Sequence, residues 1–164
     1  MRRFTFFIAL TFFFTQSGNA QGFSLEKETD SLYYLTYTVG DRTDSFSLPF
    51  PVMKWQVGDV DGNGTEDAMV MVVKKTRFDE RVLPRLFIFK QINGKVRPLW
   101  LGSQLGGILC DFRYANGKVI SLQSTTDSLY VVMTHKWRKF GLGADSILIG
   151  PTDHAMAMKT FNMK

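Results

Sequence analysis

Cysteine and histidine are almost missing from this chain of 164 residues, which holds one cysteine, Cys110, and two histidines, His135 and His154. A single cysteine excludes an internal disulfide. Cys110 lies in the apolar stretch 108–112 and reads as a small buried apolar side chain. Two histidines nineteen residues apart, with no second cysteine, exclude a zinc cluster of the usual Cys/His type. Neither histidine stands in a recognisable motif with a serine or cysteine nucleophile. A long apolar run is also absent. The longest, residues 4–14, has about eleven residues, short of the roughly 20 that a membrane-spanning helix needs. Charge of one sign is not in large excess, with 20 basic against 15 acidic residues and a formal net charge of +5. A nucleic-acid binder carries a stronger, clustered excess, so nucleic acid is not the expected partner.

What is present starts at the N-terminus. Arg2 and Arg3 precede the apolar run, and Gly18, Asn19 and Ala20 follow it with small residues suited to cleavage. Residues 1–20 therefore read as a signal peptide, with export to the periplasm, the cell envelope or the outside as the expected localisation. Its removal leaves a formal charge of about +3, since it takes two basic residues and no acidic ones.

The remainder reads as all-β. Apolar residues recur with a period of two, and no stretch shows sustained helical amphipathicity. Tyr33, Leu35, Tyr37 and Val39 alternate with Tyr34, Thr36 and Thr38, as in a half-buried strand. Further strands are expected at 52–57, 68–74, 86–91, 96–101, 108–114, 119–123 and 129–136. Asn93-Gly94 and Asn116-Gly117 fall between such runs, where tight hairpins need positive φ. Residues 76–84 read as a solvated turn carrying Arg77 and Arg81, with Arg85 nearby. The domain is expected over 21–150, with 151–164 an irregular tail.

One segment carries chemistry. Asp59, Asp61, Asn63 and Asp67 occupy positions one, three, five and nine of a loop, with Gly64 at position six and the Thr65 carbonyl available at position seven. Calcium takes six to eight hard oxygen ligands at about 2.3–2.6 Å, and alternate residues of a tight loop can all aim inward. Magnesium resists dehydration, and zinc would want His or Cys. The expected metal ligands are thus Asp59, Asp61, Asn63, Thr65 and Asp67, and the expected ion is Ca2+. An EF-hand would place glutamate at position twelve between helices; that position is Val70, inside a strand-like run.

The loop, followed directly by a strand, resembles the calcium loops of FG-GAP and VCBS repeats, the integrin-like propeller modules, over residues 55–74. That resemblance implies a blade-like setting; such repeats typically occur in tandem, whereas this chain has a single liganded copy. A second strand-and-hairpin series, 108–137, lacks the acidic loop. About 144 residues allow at most three blades of roughly 40 to 50 residues, too few to close a propeller. The expected fold is therefore antiparallel sheets in an open stack of two to three propeller-blade-like units, or a compact β-sandwich. Residues 85–89 (RLFIF) and 97–102 (RPLWLG) also resemble a group of uncharacterised secreted bacterial proteins, a resemblance that implies no activity.

Catalysis finds little support, because Asp111, Asp127 and Asp145 are scattered. Trp55, Trp100, Trp137 and Tyr130 could line a groove for glycan or peptide, and the arginines could meet an acidic partner. The expected function is a non-enzymatic calcium-binding module that contacts protein or glycan at the cell envelope. The alternative is a small secreted hydrolase whose calcium props an active-site loop.

Overall fold

A computed structural model describes residues 21–77, 79–102 and 105–163; the expected signal peptide, 1–20, lies outside them. The chain runs through three antiparallel meanders in sequence order. The first sheet holds β1 (Gly22–Thr29), β2 (Leu32–Val39) and β3 (Arg42–Leu48). The second holds β4 (Val52–Gly58), β5 (Asp67–Thr76), β6 (Asp79–Ile92) and β7 (Lys95–Leu101). The third holds β8 (Ile108–Ala115), β9 (Lys118–Ser124), β10 (Tyr130–Arg138) and β11 (Gly141–Thr152), and one helix, α1 (His154–Phe161), follows it. The all-β expectation of stacked antiparallel sheets holds, and no described sheet closes into a barrel.

The period-two pattern explains the stacking. On β5, Ala68, Val70 and Val72 join Leu35, Leu48, Phe87 and Phe89 in a core between the first and second sheets. The intervening Met69 and Met71 join Leu86, Ile88, Leu109 and Phe112 between the second and third. The second sheet is covered on both faces, so β5 reads as a continuous apolar run rather than an alternating one. Ile120, Leu122 and Val132, on the far face of the third sheet, pack under α1. The layers thus run first sheet, second sheet, third sheet, helix.

Both Asn-Gly hairpins form as expected, with Asn93 and Asn116 at φ 54° and 52°. Two expectations are corrected. Residues 76–84 are not an extended solvated turn. β6 already begins at Asp79, whose carboxylate takes the guanidinium of Arg81 (2.9 Å) and of Arg85 (2.6 Å). These charge-assisted bonds tie the chain directly after a short turn, and the two arginines hold that carboxyl well below the usual range.

The tail is not irregular. Residues 151–152 end β11, and α1 starts behind Asp153, whose side chain accepts from the Met156 amide at 2.9 Å as an N-cap. Ala157 and Phe161, four apart, form its buried stripe. Arg113 donates Nε to the Phe161 carbonyl at 2.6 Å and Nη2 to that of Met163, satisfying acceptors at the helix end where a cation is favoured. Replacing Asp153 with alanine is expected to lower the unfolding free energy by about 1 kcal/mol in urea titration. No change would mean the cap does not hold the helix.

Candidate functional site

The β4–β5 connection, residues 59–66, leaves the edge of the second sheet and returns into its middle. Asp67 opens β5, between Gly58 on β4 and Lys90 on β6. That central position seals its side chain completely, with 0% of the residue exposed. One oxygen, Oδ2, accepts from the amides of Val60 (2.9 Å) and Asp61 (3.4 Å). The other, Oδ1, is buried and has no hydrogen-bond partner. Burial is the main reason that the Asp67 carboxyl is pushed up to about 6, and the neighbouring charge of Asp61 adds to it. A carboxylate raised in the fold carries a stability deficit at neutral pH, where it must ionise, and a cation would relieve that deficit.

The rest of the loop is organised around its acids. Gly62 and Gly64 sit at φ 74° and 83°, the left-handed region that lets consecutive amides turn inward. Asp59 accepts from the amides of Asn63 (2.9 Å) and Gly64 (2.8 Å) through its two oxygens. Ligand atoms of Asp59, Asp61 and Asp67 lie within 4.8 Å of one another, so the structure brings three of the five expected ligands together. Asn63 and Thr65 are exposed, and the Asn63 oxygen accepts from the Thr65 amide (2.7 Å) and hydroxyl (2.5 Å). Both help to shape the turn.

Two contacts that sequence reasoning missed hold this loop from outside. Lys90 places Nζ 2.6 Å from Asp61 Oδ2. Tyr114, on β8 of the third sheet, donates its hydroxyl to the Asp59 carbonyl at 2.6 Å, while its own amide donates to Gln56 Oε1 at 2.8 Å. Val60 is buried in the core between the second and third sheets. The loop is therefore part of the seam between these sheets. Lys90 lies 29 positions from Asp61 and Tyr114 lies 55 from Asp59. The alternation of β6 does place Lys90 opposite to Phe89, but nothing local marks it as the loop's partner.

The other candidates separate in space. Trp55 packs on the core between the first two sheets, Trp100 and Trp137 on the next, and Tyr130 under α1, so the four do not form one groove. Arg85 is 5% exposed and held by Asp79; its Nε is the other buried side-chain polar atom without a partner among the described residues. Asp111 pairs with Lys54 at 2.7 Å across the seam. Asp145 pairs with Lys118 (2.7 Å) and Lys136 (2.6 Å), which hold its carboxyl well below the usual range. Asp127 lies in the β9–β10 turn.

His135 does meet a serine, with Nε2 2.8 Å from Ser121 Oγ, and Gln123 Nε2 donates to the same hydroxyl at 2.7 Å. The histidine is 1% exposed and the serine 0%, and burial holds the imidazole below its ordinary pKa. Both groups are thus sealed from solvent.

A cleft of about 440 Å3 opens beside it, lined by Gln123, Thr125, Val131, Met133, Ile147 and Arg81 among others. No carboxylate or histidine lines it among the described residues. Nor does any helix among them have the length and apolarity to cross a membrane. No protein-family model, curated protein or solved structure matches this chain.

Proposed function

We propose that the protein is an exported, non-enzymatic β module braced by Ca2+ in the loop 59–67, with its outer surface free to contact protein or glycan at the cell envelope. The observation that carries the metal is the Oδ1 of Asp67. A fully buried carboxylate oxygen without a partner is costly, and this one lies in a triad of acids that repel one another. A divalent cation answers both problems. Asp59, Asp61 and Asp67 would hold it, with Asn63 and the Thr65 carbonyl as the further oxygen ligands. The donor set is all oxygen, which suits Ca2+, and the loop's ligand spacing, resembling that of FG-GAP and VCBS repeats, supports the same ion. Because the loop anchors Tyr114 and Val60, the ion would stiffen the seam between the second and third sheets.

Exported modules bind calcium with dissociation constants of about 0.1 to 1 mM, and tenfold excess over such a constant adds about 1.4 kcal/mol of stability. For a domain of this size that is a melting temperature higher by roughly 3 to 6 °C in calcium than in chelator. Asp67→Asn should abolish the difference while melting at or above the wild-type temperature in chelator, because it removes the buried charge and keeps an acceptor for Val60. Equal wild-type curves with and without calcium would sink the metal reading.

For the contact surface, the open cleft lined by Val131, Met133 and Ile147 is the best-formed site, and it suits binding because no carboxylate or histidine lines it among the described residues. Calcium-loaded protein screened against glycan arrays and envelope extracts should retain a partner that Ile147→Glu loses. Retention indifferent to that substitution, or none at all, counts against the assignment.

A further inference from the structure

We infer that Lys90 is a tethered competitor for the loop's cation: its ammonium stands on Asp61, and Ca2+ must displace it to bind. The inference rests on the calcium reading above and names how that site is regulated.

The geometry is specific. Lys90 is paired with Asp67 across β5 and β6, and its Nζ reaches 2.6 Å from Asp61 Oδ2. The lysine side chain is 20% exposed and the aspartate 11%, so water screens their interaction less than at an open surface. The positive charge stands beside two members of the triad at once, on Asp61 directly and across the strand pair from Asp67.

Yet the fit is incomplete. A single ammonium has three donors and one charge, and although it neutralises Asp61 in part, Asp67 Oδ1 is left without a partner. Calcium, with two charges and six to eight ligand positions, can serve all three acids. The lysine therefore holds the loop together when calcium is scarce without completing the site, and its charge repels an arriving cation. The combination suits a loop that is held together when calcium is scarce and fills only when it is plentiful.

A contrasting role would make Lys90 a support that orients Asp61 for the metal. The two roles predict opposite signs when the charge is removed. Calcium titrations by calorimetry, with melting curves in chelator and in calcium, would be run on the wild type, K90M, K90Q and K90R. K90M keeps the length and apolar stem, and K90Q provides a second neutral side chain should K90M fold poorly. Under competition, the neutral variants bind calcium about tenfold tighter, equal to about 1.4 kcal/mol. They also melt lower in chelator and gain more on adding calcium, while K90R stays near the wild type. A neutral variant with unchanged or weaker calcium binding overturns the competitor role while leaving the calcium reading intact. No calcium response in any of the four proteins overturns both.

Discussion

Replacing Phe89 with alanine is expected to lower the unfolding free energy by about 3 to 5 kcal/mol, a large share of the roughly 5 to 15 kcal/mol typical of a whole domain. The residue is completely buried where the second sheet meets the first. Its ring lies 5.0 Å from that of Phe46 on β3 and 6.4 Å from that of Phe87 on its own strand. Truncation removes the transfer energy of a phenyl group and leaves a cavity between two sheets that are held apart by their own backbones, so collapse is limited. Phe140, in the β10–β11 turn and 84% exposed, provides the contrast; its alanine variant should stay within about 0.5 kcal/mol of the wild type. Denaturant titration of both variants checks the layer order directly. Similar losses for the two would contradict the sandwiched position of the second sheet.

The second large effect concerns the seam beside the loop. A Cβ added at Gly58 would meet Cδ1 and Cε1 of Tyr114 at 2.3 Å. Neither partner has room to give. The glycine is the last residue of β4, paired with Asp67, and the tyrosine ring is fixed by its hydroxyl bond to the Asp59 carbonyl. Gly58→Ala is therefore expected to cost about 1 to 3 kcal/mol by overpacking. It should also weaken the calcium-dependent rise in melting temperature, because a displaced tyrosine lets go of the first residue of the loop. In a Tyr114→Ala background the same substitution should cost much less, since the ring is gone, and the difference is the coupling energy of the pair. An equal cost in both backgrounds would show that the strain lies elsewhere.

These two positions illustrate what could be read along the chain. Phe89 was legible as an apolar residue of a strand, and the alternation of β6 already divides Phe87 and Phe89 from Leu86 and Ile88. Gly58 gave no signal at all, because its reason is a ring 56 positions later. The same division runs through the site. Asp59, Asp61 and Asp67 were found from spacing, since a tight loop with glycines at 62 and 64 brings alternate residues together whatever surrounds it. Asn63 and Thr65 came from the same spacing, and both are seen in the turn itself, bonded to each other.

The helix went unrecognised because the methionines at 156, 158 and 163 have no period. The signal was Asp153 as a cap with Ala157 and Phe161 behind it, eight residues long and thus marginal without the third sheet to pack on and Arg113 to close its end. β1, β3 and β11 were passed over for a related reason. Their polar and glycine residues give weak alternation, and each lies at a sheet edge where only one neighbour supplies hydrogen bonds. The aromatic groove failed for the opposite reason. Each tryptophan is apolar enough to be drawn into whichever core lies nearest, and the three sheets offer different ones.

By itself, then, the sequence determined the all-β class, eight of the eleven described strands, the two Asn-Gly hairpins and a loop with calcium-ligand spacing, all properties of neighbouring residues. Only the tertiary structure decided that Asp67 is sealed with one oxygen unpartnered, that Lys90 stands on Asp61, and that Tyr114 ties the loop to the next sheet. The reason is physical. Ligand spacing and turn chemistry act within a few residues, whereas the desolvation of the Asp67 carboxylate arises from stacking sheets whose strands are distant in the chain.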